Sequence, residues 1–206
     1  MSPRLVFATH NEHKVIEVAE IFSGHLDLPQ GAMVSAGALG APEPVETGLT
    51  FAENALIKAR ALVAFTGLPA IADDSGICVK ALGGAPGVFS ARWCGHHGDD
   101  QANLDLLIAQ MTDVPDPGRA AWFECAAVLV TPDGHETVQT GTLPGTLGHT
   151  ARGQRGFGYD PILIPDGETR TCAELDPEEK NAISHRGRAF RALAPAVAAV
   201  LTAQAG

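Results

Sequence analysis

The sequence predicts an α/β fold in one domain over residues 1–206, and three observations carry that reading. Short apolar runs that read as buried strands alternate with segments of helical periodicity. The chain has 206 residues, 45% of them hydrophobic, enough to bury a sizeable core and short for two independent ones. At its centre, Ala70-Ile71-Ala72-Asp73-Asp74-Ser75-Gly76-Ile77 sets two adjacent carboxylates at the end of an apolar run, where parallel α/β sheets hold their ligands. Side chains alternate along a strand, so Asp73 and Asp74 are expected on opposite faces, one serving chemistry and the other tying down the turn. The plainer alternative is an Asx-turn in which both aspartates cap loop amides and Gly76 turns the backbone.

Elements follow in order. Arg4 to Ala8 reads as a buried first strand, and Val15, Val18, Ala19 and Phe22 recur at helical spacing until Gly24. The polar turn between them, Thr9-His10-Asn11-Glu12-His13-Lys14, leaves unpaired helix N–H groups beside a lysine. Such a turn suits a polyphosphate, although it lacks the glycines of a P-loop, and Asn11 as a plain N-cap explains it equally. Residues 25–49 read as irregular, with an acidic Glu43-Pro44-Val45-Glu46. Thr50-Phe51-Ala52-Glu53 is a capping box opening a helix with the stripe Phe51, Ala55, Ala59 and Leu62 up to Gly67. Asn54 and Lys58 share another face of it, toward a cleft or toward water.

Beyond the paired aspartates, Ile77, Val79 and Ala81 alternate as a strand, and Gly83-Gly84-Ala85-Pro86-Gly87 makes a small-residue loop. Asp99 or Asp100 caps a helix with Leu104, Leu107, Ile108 and Met111, and residues 121–130 and 136–141 read as a hairpin. Arg152 to Pro161 combines two cations, three glycines, Phe157 and Tyr159, a composition suited to a loop that stacks aromatics on a planar ligand. Asp176-Pro177-Glu178-Glu179 starts a helix that Ser184-His185-Arg186-Gly187 breaks, and Phe190, Leu193, Ala194, Val197 and Leu201 mark a last core helix. Lys180 and His185, about 140° apart around a helix, converge on one ligand only if the helix ends near His185.

Composition limits function. Fourteen Lys and Arg against 24 Asp and Glu give a formal charge of −10, which argues against a nucleic-acid polymer or an anionic membrane as partner. Cys78, Cys94, Cys125 and Cys172 form no CxxC pair and read as reduced thiols of a cytoplasmic protein. The N-terminal apolar run is too brief for a signal peptide, and Ala194 to Leu201 falls short of the ~20 residues of a membrane span.

Six ordered motifs carry a resemblance. Thr9 to Lys14, Thr50-Phe51-Ala52-Glu53-Asn54-Ala55, Ala72-Asp73-Asp74-Ser75-Gly76, Gly83 to Gly87, Phe157-Gly158-Tyr159-Asp160-Pro161 and Ile183-Ser184-His185-Arg186-Gly187 together resemble the inosine triphosphate pyrophosphatase family, also called XTP/dITP diphosphatases. The resemblance covers almost the whole chain. It implies a long central mixed β-sheet flanked by helices, two lobes around a substrate cleft, and a homodimer. It implies Mg²⁺-dependent hydrolysis of non-standard purine nucleoside triphosphates (ITP, dITP, XTP) to the monophosphate and pyrophosphate. Carried over by position, Thr9, His10, Asn11, Glu12, His13 and Lys14 hold the triphosphate, Asp74 is proton acceptor and magnesium ligand, and Ser75 touches substrate. Phe157, Gly158, Tyr159, Asp160, Lys180, His185 and Arg186 surround the nucleoside, and Glu46, or else Glu43, is the second metal ligand. His10 stands where many relatives have glycine, and Leu163 where an aromatic is frequent. Two rival readings are a nucleotide sensor without turnover and an aspartyl-phosphate phosphatase, which would want a DxDx(T/V)-type run in place of adjacent acids.

Overall fold

The computed structural model describes residues 3–26, 28–29 and 31–203; the side chains of Glu12 and His13, both expected in the phosphate-holding turn, lie outside the described atoms. The elements are β1 Leu5–Phe7, α1 Glu12–Ser23, β2 Met33–Ser35, α2 Phe51–Thr66, β3 Ala70–Val79, α3 Asp100–Gln110, β4 Ala120–Val130, β5 Glu136–Leu147, β6 Leu163–Pro165, α4 Pro177–Ile183 and α5 His185–Ala203. Among the described residues the strands form one six-stranded sheet in the order β2-β1-β3-β4-β5-β6. β1 runs parallel to β2 and β3, and β5 antiparallel to β6, so the sheet is mixed, as the resemblance implies. The chain divides into two compact units, one of Met1–Asp74, Cys125–Gly141 and Arg186–Gly206, the other of Ser75–Glu124 and Thr142–His185.

In the first unit, strand alternation sorts side chains into two cores. Leu5, Phe7, Ile71, Cys125, Ala127 and Leu129 pack against Val18 and Phe22 of α1 and Phe190, Leu193 and Val197 of α5. The Phe190 ring stands edge-on to Phe7 at 5.8 Å and to Phe22 at 5.7 Å, the favoured arrangement of aromatic quadrupoles. Val6, Ala70, Ala72, Val128 and Val130 face the other way, onto Ala55, Ala59 and Leu62 of α2. That helix has the expected capping box, with Thr50 accepting from the Glu53 N–H and Glu53 accepting from the Thr50 N–H, and it ends at Gly67 with φ 69°. In the second unit Ile77, Val79, Phe123, Leu143, Leu147 and Leu163 pack against Leu104, Leu107 and Met111 of α3, whose N-cap is Asp99.

Five sequence expectations change, the first being that Ala81 continues the strand of Ile77 and Val79, since the chain turns into a short helical turn at Lys80–Leu82. The paired aspartates do not end a strand in a turn: β3 runs unbroken from Ala70 to Val79, with Asp73 and Asp74 in its middle. Gly76 therefore bends nothing. A Cβ on it would lie 2.3 Å from Ser90 Oγ and 2.6 Å from the Gly87 carbonyl oxygen, so the residue is glycine for close approach. The stretch 25–49 contains β2, whose three residues are too few for alternation to register. Gly187 stops no helix. Ser184, extended at ψ 148°, separates α4 from α5, and α5 begins at His185 with Gly187 inside its first turn. In α1 it is Ile21, not Ala19, that joins Val18 and Phe22 in the core.

Gly76→Ala should lower stability by about 1–3 kcal/mol through overpacking against Ser90 and Gly87. Urea denaturation of the two proteins measures this, and an unchanged midpoint would mean that the neighbours yield freely.

Candidate active site

Because Asp73 and Asp74 are adjacent on a strand, they inherit the two faces of the first unit. Asp74 shares the face of α2, and Asn54 and Lys58, one helical turn apart on α2, both reach it. Asn54 Nδ2 donates to Asp74 Oδ2 at 3.2 Å, and Lys58 Nζ lies 3.5 Å from Asp74 Oδ1 and 2.9 Å from Glu46 Oε1. The Asn54 amide is aimed by its own oxygen, which accepts the Gly48 N–H at 2.8 Å. The alternatives of cleft or water for Asn54 and Lys58 thus resolve toward the acidic group.

Asp73 shares the face of α1 and α5, with its side chain 0% exposed. Lys14 Nζ donates to both of its oxygens, at 3.2 and 3.1 Å, and Arg186 Nε donates to Oδ2 at 3.2 Å. Arg186 Nη1 also donates to Glu17 at 2.8 Å. The expectation that this carboxylate ties down a turn is replaced by a structural role as buried counter-ion to two cations, since there is no turn for it to shape.

The two neighbours titrate in opposite directions. Burial alone would raise Asp73, but Lys14, Arg186 and Lys58 outweigh it and hold the carboxyl far below the usual carboxylate range. Burial raises Asp74, with Glu46 and Asp73 adding to it, against the opposing pull of Lys58 and Asn54. Burial would lower Lys58, but Asp74, Asp73 and Glu46 keep its ammonium favoured and its pKa above the ordinary value.

The polar turn lies in the same unit. Thr9 Oγ1 accepts the Asn11 N–H at 3.1 Å, and the Asn11 carbonyl accepts from Lys14 and Val15, making Asn11 the N-cap of α1. The His10 ring lies 3.0 Å from the Ala41 carbonyl oxygen through Nε2 and 3.1 Å from Glu43 Oε1 through Nδ1. Glu43 is therefore engaged with His10, and Glu46 is the carboxylate that shares Lys58 with Asp74. Among the described residues no group of three or more His, Cys, Asp or Glu side chains is placed to hold a metal ion. A pair of carboxylates drawn onto one ammonium is nonetheless a donor set that suits Mg²⁺, which takes one or two carboxylates and completes its shell with water and phosphate oxygens.

The second unit gathers most of the residues expected around a nucleoside. Asp160 Oδ2 accepts the Phe157 N–H at 2.9 Å and Lys180 Nζ at 2.6 Å, and that ammonium sits 5.4 Å from the Phe157 ring centroid. A Cβ on Gly156 would fall 2.0 Å from the same Asp160 oxygen, so the carboxylate leaves no room for a side chain there. Gly158 N–H donates to Asp100 at 3.1 Å. Phe157 is 49% exposed and able to stack, whereas Tyr159, 5% exposed, belongs to the core and donates its hydroxyl to the Ser90 carbonyl oxygen at 2.9 Å. Its expected role against a planar ligand therefore passes to Phe157. His185 stacks on Phe123 with centroids 4.9 Å apart, and α4 ends at Ile183, before it, as the spacing from Lys180 requires. Ser75 opens this unit, while Arg186 belongs to the first. Sequence reasoning missed Glu17 and Ser90, which act on residues distant in sequence and have no motif of their own, and it named Asp100 only as a possible helix cap, whereas Asp99 is the cap and Asp100 holds the Gly158 N–H.

Asp73 contributes stability that is present above its ordinary value of 3.8 and is lost as pH falls through its lower folded value. Asp74 has the opposite sign: its raised value means that ionised Asp74 costs stability as pH rises. At pH 7 Asp73→Asn should then lose about 3–5 kcal/mol by stranding buried cations, while Asp74→Asn is at least as stable as wild type. Denaturant melts decide it, and equal losses in the two variants would refute the division.

Residues 5–196 match the model of the Ham1 family. A dITP/XTP pyrophosphatase of Streptomyces coelicolor is 60% identical over 198 residues, covering 96% of this chain and 98% of that protein. One of Leifsonia xyli is 55% identical over 96% of each. Among solved structures, a HAM1 protein from Coxiella burnetii matches with a TM-score of 0.86 and 39% identity over 96% of this chain and 98% of its own. A nucleoside-triphosphatase, dITP/XTP pyrophosphatase, from Mycobacterium abscessus matches at 0.76 and 49% identity over 93% and 98%. With the match running nearly end to end, this chain belongs to the Ham1 family.

Proposed function

We propose that this chain hydrolyses ITP, dITP and XTP to the nucleoside monophosphate and pyrophosphate, with Asp74 as proton acceptor. The observation that carries this is the setting of Asp74: a largely buried carboxylate whose affinity for a proton is raised, aimed by Asn54 and Lys58 and adjoining Glu46. A general base works best when its pKa is moved toward the working pH, and burial moves Asp74 that way. The names of the relatives, which are dITP/XTP pyrophosphatases, support the same substrate class over a sensor without turnover.

In the proposed reaction water breaks the bond between the α and β phosphates, Asp74 takes the water proton, and pyrophosphate leaves. Thr9, His10, Asn11, Glu12, His13 and Lys14 hold the phosphates, using a helix N-terminus and an ammonium as the positive side. Lys14 Nζ is held by both Asp73 oxygens, so its charge is positioned before substrate arrives. Asp74 and Glu46 would hold Mg²⁺, which when bound neutralises charge on the phosphate oxygens. Ser75 touches substrate, and Phe157, Gly158, Asp160, Lys180, His185 and Arg186 receive the nucleoside, with Tyr159 anchoring the loop from the core. Phe157 supplies the stacking face, and His185 with Arg186 supplies donors for the 6-keto oxygen. The 6-amino group of adenine would leave those donors unpaired, a mismatch able to reject an analogue by about 10⁴-fold. The proposal extends to a homodimer in the cytoplasm. Among the described residues no helix is long and apolar enough to cross a membrane.

Pyrophosphate release across a nucleotide panel tests this directly. ITP, dITP and XTP should be turned over and ATP spared, and Asp74→Asn should fall by roughly 10²-fold or more. A folded Asp74→Asn enzyme with near-normal turnover would remove the assignment.

The metal ligands separate in a second experiment, in which chelation stops pyrophosphate release and Mg²⁺ restores it. Glu46→Gln should raise the Mg²⁺ concentration for half-maximal activity by about tenfold, within the range for losing one ligand's support, while Glu43→Gln leaves it unchanged. The reverse pattern would assign the second ligand to Glu43.

A further inference from the structure

We propose that Ser90, which no motif singles out, is a positioning residue that joins the strand segment after Ser75 to the loop bearing Phe157. The inference rests on the proposed role of that loop in receiving the nucleoside. Ser90 sits in the short helical turn Gly87–Arg92 of the second unit and is 6% exposed. Its hydroxyl accepts the N–H of Ile77, two residues beyond Ser75, at 3.0 Å and donates to the Gly87 carbonyl oxygen at 2.6 Å. Its carbonyl oxygen accepts the Tyr159 hydroxyl at 2.9 Å. One buried residue thus fixes β3, the small-residue loop ending at Gly87, and the loop of Phe157 and Tyr159.

The surroundings are built for this joint. Gly76 must lack a side chain because its Cβ would stand 2.3 Å from Ser90 Oγ, so the glycine of Asp73-Asp74-Ser75-Gly76 is what admits Ser90 to the strand. On the loop side, Gly153, Gly156 and Gly158 all have positive φ, at 84°, 75° and 59°. A chain so rich in glycine loses much entropy on ordering and needs side-chain ties to hold one conformation. The Tyr159 hydroxyl is such a tie, and its acceptor is main chain whose place is set by the Ser90 hydroxyl. Removing that hydroxyl takes the acceptor from a buried strand N–H and slackens the turn that carries the Tyr159 partner. Pre-ordering the loop is what makes Phe157 available at low cost when the base arrives.

Hydrogen exchange followed by peptide mass spectrometry tests the joint without reference to catalysis. In Ser90→Ala, exchange should quicken both at 76–79 and at 156–160. Tyr159→Phe cuts the same joint from the other end, should quicken the same two segments, and decides the matter if Ser90→Ala does not fold. Quickening confined to the mutated segment in the folded variants overturns the coupling. The kinetic arm separates positioning from general damage: KM for ITP should rise about tenfold in Ser90→Ala, while the inhibition constant of inorganic tripolyphosphate, which probes the phosphate-holding residues, stays within about twofold. Equal changes in both constants, or an unchanged KM, overturn the positioning role. A wild-type protein that releases no pyrophosphate from ITP would remove the proposed function instead, and the exchange data would still decide the joint.

Discussion

A carboxylate with no exposure to water survives only beside cations, and the Asp73 ion cluster is the constraint on which the first unit's chemistry depends. Asp73 draws Lys14 inward from the first turn of α1 and Arg186 from the first turn of α5, and Arg186 in turn engages Glu17 of α1. Two helix starts far apart in sequence are thereby pinned to one strand position. The apolar core around Phe7, Phe22 and Phe190 supplies most of the burial on that face, but it is non-directional. The ion cluster fixes where along the strand the charged ends of α1 and α5 must sit.

The second consequence is a division of labour between adjacent residues of identical chemistry. A strand turns each successive side chain by half a revolution, so one peptide step moves a carboxylate from the α1 and α5 face to the α2 face. On the first face two cations hold Asp73 ionised and fully engaged. On the second, burial and the nearby Glu46 outweigh Lys58 and Asn54, and Asp74 becomes the more basic of the two. Opposite environments for paired acids are how acid and base roles are separated at one pH. Here the separation needs no special backbone, only the continuity of β3 through both residues.

How much of this was legible in the sequence follows from the range of each interaction. The α2 helix was readable in full because its signals are local: the Thr50 and Glu53 box, the stripe of Phe51, Ala55, Ala59 and Leu62, and the stop at Gly67. The opposite facing of Asp73 and Asp74 was readable for the same reason. The run of β3 past Gly76 was not, because a glycine after Asp-Asp-Ser reads as a turn until Ser90, fourteen residues on, is seen to fill the space where its side chain would be. The three-residue β2 was hidden by its length. Of the site, the motifs named Asp74 and Lys14, yet what each is paired with came from elsewhere in the chain. Lys58 and Asn54 showed their shared face on α2 but not what it faced, and Glu17 had no local signal at all.

Glycines of the second unit mark where close approach has replaced side-chain chemistry. At Gly156 the space is taken by the Asp160 carboxylate, which accepts from Phe157 and Lys180, and at Gly76 by the hydroxyl of Ser90. In both places a polar group that makes several bonds has displaced a neighbour's Cβ. Such groups hold a conformation only if every partner is present, since a half-satisfied buried network is worse than an apolar one. The same tightness that pre-orders the Phe157 loop therefore makes it intolerant. A substitution at Gly156 would push Asp160 off Lys180 and the Phe157 amide together, coupling the one exposed ring of the loop to a residue that bears no chemistry of its own.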